Sequence, residues 1–424
     1  MGLLLAPVSS LLGGMAILLL GAGLQGTLIG LRAHLEGFPV EVTGLIMSVY
    51  FAGYIVGYFF SPAIVRRVGH IRAYAAFTAV ASAVVLVYPL FVEPAAWFAL
   101  RLISGICFAG IYMVAESWLN GVTENATRGV ILGLYMMVNL TALAAGQLLL
   151  TLYDPSGFKL FLIVSVLISL GLVPVALTRN RAPEIVAPSS LPLRALYRVS
   201  PLGVVGCFAT GLALGAFWGV GPLFAAGIGL AASGVAFFMS LTIVGGMVMQ
   251  WPIGWVSDCF DRRFVIIGAT FTVTAVSALL AIIRHPPLGL ELSLAFLFGG
   301  FSFALYSLCV AHANDFIADA DKVAASSGLL LVYGVGAAIG PFAAAATMRG
   351  MGPEGLFVFV ALASLTVGSF AAYRMRIRDP APAEERGKFV PLPRTSPVVM
   401  GLHPEGEPGP DGGSEAAPAV GAAG

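Results

Sequence analysis

The chain has 424 residues, of which 58% are hydrophobic and only 10% charged, with a formal net charge of +1. Soluble domains carry about 25% charged residues, so this balance, with a mean hydropathy of +0.94, excludes an ordinary water-soluble globule and points to a chain dissolved in lipid. The near-zero charge argues against nucleic acid as a partner, and Cys107, Cys207, Cys259 and Cys309 form no CxxC pair of the kind that marks a disulfide framework or a zinc site.

No Lys or Arg precedes Arg32, so the basic start of a cleaved signal peptide is lacking and the first apolar run is read as a span. Runs long enough to cross about 30 Å of hydrocarbon recur at 10–32, 41–64, 71–92, 95–119, 128–153, 158–178, 201–226, 232–256, 263–284, 288–313, 323–347 and 354–375. The sequence therefore predicts an all-α membrane protein of twelve helices. Short breaks such as Glu36-Gly37-Phe38-Pro39 and His285-Pro286-Pro287 carry turn residues. The longest internal break, 179–200, holds Arg179, Arg181, Arg194 and Arg198. It divides the chain into a six-helix half at 1–178 and a second at 201–375, joined by a linker.

Basic residues set the orientation. With a cytoplasmic N-terminus, the inner breaks hold Arg66, Arg67, Arg72, Arg128, the linker arginines, Arg262, Arg263 and Lys322, against Arg32, Lys159, Arg284 and Arg349 outside. Both termini are expected in the cytoplasm, with the chain multi-pass in the plasma membrane. From 376 to 424 the composition is Pro, Gly, Ala and Glu, too poor in large apolar groups to offset ordering entropy, and it predicts a disordered tail, a short docking motif being the alternative.

The fourth span carries Arg101, Tyr112 and Glu116 on one stripe, at roughly 20° and 60° from the arginine on a helical wheel. A charge at the centre of a bilayer costs at least about 2.5–3.5 kcal/mol, so such groups face protein or a wet cavity. In the plainer reading, each lies near one end of the span, with Arg101 reaching outward and Glu116 locking helices at the interface. Glycines at four-residue spacing, as in Gly53/Gly57, Gly211/Gly215/Gly219 and Gly336/Gly340, suit close helix packing in lipid.

The halves echo each other at an offset of six spans, so the repeats run parallel, as in one large transporter fold. Gly105-Ile-Cys-Phe-Ala-Gly corresponds to Gly300-Phe-Ser-Phe-Ala-Leu, and the Pro62–Arg72 break corresponds to Gly254–Arg263. Over residues 8–376 the chain resembles the major facilitator superfamily. The second-half loop keeps the family pattern as Gly254, Asp258, Asp261, Arg262 and Arg263. The first half departs from it at Pro62 and Arg66 while keeping Gly69 and His70. Arg101 with Gly105 resembles the family's Arg-x-x-x-Gly element in span four, which is linked to proton coupling. Arg128-Gly129 resembles the opening of span five. Glu-Ser-Trp-Leu-Asn at 116–120 and His-Ala-Asn-Asp at 312–315 resemble a bacterial subgroup with poorly defined substrates. The Gly-Pro pair of drug antiporters is absent from span five, where Gln147 follows Gly146.

The resemblance implies a central cavity lined by spans one, four, seven and ten, with two, five, eight and eleven beside them. It places Gln25, Arg32, Tyr50, Tyr54, Tyr112, Asn139, Trp218, Gln250 and Tyr306 as candidate cavity residues. Candidates for coupling or gating are Arg101, Glu116, Arg128, Asp258, Arg262, His312 and Asp315: Glu116 pairing with Arg128 or a neighbouring helix, Asp258 with Arg262 clamping the cytoplasmic side, and His312 with Asp315 forming a gate or relay. The expected function is secondary transport of a small solute by alternating access, proton-coupled and leaning to efflux, by a monomer without cofactor or metal. No Walker loop, HExxH or Gly-x-Ser-x-Gly element supports an enzyme. The alternative is a membrane sensor or assembly protein that kept this fold and lost transport.

Overall fold

The computed structural model describes residues 2–123, 127–177, 190–283, 287–380, 382 and 386–402. Among the described residues there is no strand. The helices are α1 (Gly2–Leu35), α2 (Val40–Val68), α3 (His70–Val87), α4 (Pro94–Val122), α5 (Arg128–Leu148), α6 (Lys159–Ala176), α7 (Leu193–Val199), α8 (Pro201–Gly227), α9 (Ala232–Cys259), α10 (Arg262–Ile282), α11 (Leu288–Asn314), α12 (Asp319–Met351) and α13 (Gly355–Met375). All but α7 are long and apolar enough to cross a membrane, which gives the expected twelve spans.

Local chemistry sets the ends. Gly69, at φ 86°, lets α2 turn into α3 with no loop, a backbone state that a β-carbon would strain. Ser200 caps α8 by accepting from the Gly203 amide at 3.2 Å, and Pro201 follows at the first helical position. Asp261 does the same for α10 through the Arg263 amide at 3.0 Å. The expected linker is not wholly irregular. Its stretch 179–189 lies outside the described residues, but α7 forms beyond it, because Leu196 finds a buried site and the Leu191 amide bonds the Ala324 carbonyl at 3.2 Å.

Packing follows the repeat. In the first half α1 pairs with α5 and α2 with α4; in the second, α8 pairs with α12 and α9 with α11. Each pair meets backbone to backbone at glycines: Gly146 on Leu20, Gly53 on Leu102, Gly211 on Tyr333 and Gly299 on Thr242. The halves join through α2 with α12 and α5 with α9. Bonds between their helices include Glu41 to Arg349 at 2.9 Å, Ser48 Oγ accepting from the Phe342 amide at 3.1 Å, and Thr141 Oγ1 donating to Met247 Sδ at 3.4 Å. The Glu41 and Ser48 contacts lie at the end of the bundle away from the termini.

At the terminal end a different element joins the halves. The tail expected to be disordered is ordered over 386–402, where it runs back under the bundle and ends in a 3₁₀ turn, Pro397–Leu402. Pro397, Val399, Met400 and Leu402 are buried, packed on α4 and α12. Composition averaged over the whole tail hides this apolar cluster, which suffices to order its own segment.

Candidate functional site

A cavity of about 250 Å³ lies inside the bundle, walled by α1, α2, α4, α5, α8, α12 and the tail segment Pro393–Thr395. That is slightly under the range of about 300–1,000 Å³ usual for small-molecule pockets, and suits one compact solute. Its wall is apolar and aromatic. Tyr50, Tyr54 and Tyr112 form a string with centroid spacings of 6.1 and 6.3 Å, and Trp218 faces from the second half.

Arg101 is the charge the membrane helices contribute. Its side chain is nearly buried, with the guanidinium 4.7 Å from the Tyr50 ring centroid and Nη2 donating to Met47 Sδ at 2.9 Å. Its Nε has no partner, and it makes no ion pair with any described residue. Gln25 Nε2 and Asn139 Oδ1 are likewise buried without a partner, while Thr27 donates to Gln147 beside them. Unmet polar atoms facing a cavity are groups a solute can satisfy.

Glu116, one end of the predicted stripe, is fully buried below the cavity. Tyr135 on α5 donates to its Oε1 at 2.8 Å, Thr395 donates to the same oxygen, and Ser396 donates to Oε2. Its partner on a neighbouring helix is the Tyr135 hydroxyl, and the tail supplies the other two donors. Arg128 lies buried at the start of α5.

Asp258 and Arg262 do pair, but only weakly. Arg262 gives its closest bonds to Asp315, with Nη1 2.6 and 2.7 Å from the two carboxylate oxygens, and reaches Asp258 only at 3.4 Å. Asp258 accepts the Phe389 amide at 2.8 Å, Arg262 Nη2 donates to the Gly387 carbonyl at 2.8 Å, and the Phe389 ring lies where a side chain on Gly254 would stand. The second-half loop pattern therefore grips the tail. Arg263 donates to Asp261 at 2.7 Å; although burial raises the Asp261 carboxyl, these hydrogen bonds outweigh it and hold the group below the usual aspartate range. His312 packs edge-on against Phe316 at 5.3 Å, next to the Arg262 cluster and away from the cavity.

Three expected cavity residues are elsewhere. Arg32 bonds Glu36 at 2.6 Å and the Pro155 carbonyl at 3.2 Å, because it stands at the far end of α1 where a carboxylate waits one turn on. Tyr306 is covered by Tyr333, 5.1 Å between centroids, and Gln250 is buried in α9 outside the cavity wall. Neither α9 nor α11 supplies a described wall residue, so the cavity leans on the first half. Sequence reasoning missed Met47, Met136, Tyr333 and, above all, Arg394. The run Phe389-Val-Pro-Leu-Pro-Arg-Thr-Ser-Pro-Val-Val-Met400 was the available signal, an apolar stretch inside a polar tail.

Two pseudo-repeated six-helix halves around a central cavity define a membrane transport protein. A sequence model described as Major Facilitator Superfamily matches residues 9–251 and 203–404, and the chain belongs to that family. It is similar to the "Uncharacterized MFS-type transporter YcaD" of Escherichia fergusonii, 31% identical over 360 residues that cover 84% of this chain and 93% of that protein. The Salmonella typhimurium protein of the same description is 31% identical over the same shares. Among solved structures, the nucleoside transporter NupG aligns with a TM-score of 0.72 at 14% identity, covering 87% of this chain and 99% of that one. A bacterial homologue of the lysosomal transporter Spinster, inward-facing and occupied, aligns with a TM-score of 0.72 at 13% identity, covering 90% and 98%. The likeness to these structures is one of fold.

Proposed function

We propose that the chain is a secondary transporter that carries a small organic solute across the plasma membrane by alternating access, coupled to protons through Glu116. The observation that carries the reading is the central cavity with unmet polar atoms, between halves joined at one end by helix contacts and at the other by the tail. A solute held there is exchanged when the halves rock about it and shifts the populations of the two states by its differential affinity. Glu116 suits coupling because it is a fully buried carboxyl whose ligands come partly from a fixed helix and partly from a detachable segment. Loss of Thr395 and Ser396 on opening changes its surroundings, and with them its readiness to take a proton. The aromatic wall supports an amphipathic solute and, with it, the efflux direction.

The test is reconstitution in liposomes loaded with a pH-sensitive dye, with an imposed proton gradient and pooled metabolites and drugs. A dye response to a compound, lost in Glu116→Gln, supports coupled transport. Solute flux that persists unchanged in Glu116→Gln removes the coupling role. Absence of flux from both the full chain and a chain ending at residue 385 favours a transport-inactive protein on this fold.

A further inference from the structure

The charge around the cavity is one-sided. Its described wall contains two guanidinium groups, Arg101 and Arg394, and no carboxylate. Glu116 lies outside that wall with both oxygens occupied by hydroxyl donors, and Asp258 and Asp315 are engaged with Arg262 and the tail. Arg394 enters from the terminal end of the bundle and stacks over two rings, 4.8 Å from the Phe303 centroid and 5.8 Å from that of Tyr333. Its Nη1 is buried without a partner, as is Nε of Arg101. Stacking satisfies the flat face of a guanidinium and leaves its edge, the fork of N–H donors that fits carboxylate, sulfonate or phosphate. A buried cation without a counter-ion is costly, and Arg101, buried, with the half-buried Arg394 in the same wall calls for an anion.

We infer that the cavity binds an aromatic or amphipathic organic anion through the guanidinium edges of Arg101 and Arg394, the second delivered by the C-terminal segment. The tyrosine string and Trp218 take the ring or apolar body. The site is thus divided between a fixed part in α4 and a part that leaves with the tail. When the tail withdraws, the anion loses one of its two cations and its affinity falls on that side. The inference names the substrate class for the transport reading above, and it can stand without flux.

The test is a binding measurement on the purified full-length protein in detergent micelles. One- and two-ring aromatic carboxylates, sulfonates and phosphate monoesters are each compared with the matching neutral amide or alcohol and the matching amine. Melting temperature and tryptophan fluorescence are the readouts. At least one anion is expected to raise the melting temperature where its neutral and cationic partners do not. Its Kd is expected to rise tenfold or more in Arg394→Gln and in a chain ending at residue 385, and in Arg101→Gln, with partial rescue in Arg394→Lys. Arg394 lies in a peripheral segment, so its variants keep the assignment testable even where Arg101→Gln does not fold. The inference is overturned if no anion stabilises the wild type, if neutral partners do so equally, or if inorganic phosphate alone gives the same shift. It is also overturned if amines bind and bind more tightly in Arg394→Gln, which would make Arg394 a stand-in for a cationic solute. An anion that binds in this way but is not moved in liposomes sinks the transport reading and leaves the site assignment intact.

Discussion

Gly105 shows how a single missing β-carbon sets the geometry of the site. An added methyl there would run into the Tyr50 carbonyl and the Tyr54 amide, so α2 can lie close enough to α4 for Tyr50 to stack on Arg101. Gly105→Ala is expected to destabilise by about 1–3 kcal/mol, the usual cost of overpacking, because neither backbone can give way. Gly133→Ala, on an open helix face with nothing near its β-position, is expected to be neutral or stabilising by up to about 1 kcal/mol. Thermal melts of the two variants in the same detergent check the contrast, and equal shifts would remove the argument. Arg262 presents the opposite case, a buried charge that must keep its partner. Asp315→Asn keeps one acceptor oxygen but removes the charge, leaving the weak Asp258 contact as the carboxylate partner, and is expected to cost about 1.5–3 kcal/mol, the worth of a charged hydrogen bond. Asp315→Asn melting within a degree of wild type would show that the pair is dispensable.

Among the elements, α10 carries the clearest pH signature, since Asp261 both caps its first turn and binds Arg263. Its carboxyl is held below the usual aspartate range, so the stability it contributes is fully present above about pH 4 and is lost as pH falls through the depressed value. Asp261→Asn should therefore melt below wild type by a constant margin from pH 5 to 8, and the two should converge in more acid buffer. A margin that widens toward acid would contradict the sign. The tail segment is the element that sequence statistics misjudged. Averaged over 376–424 it is polar, proline-rich and glycine-rich, yet Pro397 is buried and Val399, Met400 and Leu402 are exposed by 1% or less. Their burial is decided by a groove formed by α4 and α12, far away in sequence, and no local window contains that groove.

In the molecule as a whole, the two halves are joined by different means at the two ends. Away from the termini the join is made of helices, through Glu41 with Arg349 and Ser48 with Phe342; at the terminal end the tail makes it, touching Asp258, Arg262 and Ser307 in the second half and Glu116 and Asn120 in the first. Removing the tail should open that end without unfolding the bundle. In a background with Cys259→Ser, a thiol placed by Leu331→Cys on the cavity wall is expected to react several-fold faster with an impermeant maleimide when the chain ends at residue 385. Equal rates in the two chains would mean that the tail closes nothing.

Twelve apolar runs and the six-span offset between Gly105 and Gly300 determined the span count and the repeat by themselves, since lipid leaves a chain so few ways to satisfy its backbone, while the glycine spacing marked close packing without naming the partners. The stripe of Arg101, Tyr112 and Glu116 was legible for the same reason: an ionised group in a span is rare enough to stand out. Which of those groups faces the cavity was left to the tertiary structure. A wheel angle gives direction around one helix and says nothing of what stands opposite, so Arg32 could be claimed by Glu36, Tyr306 covered by Tyr333, and Arg262 taken by Asp315. The return of residues 386–402 beneath the bundle was also decided there, because its apolar side chains and hydroxyls acquire partners only once the two halves have assembled around Glu116 and Ser307.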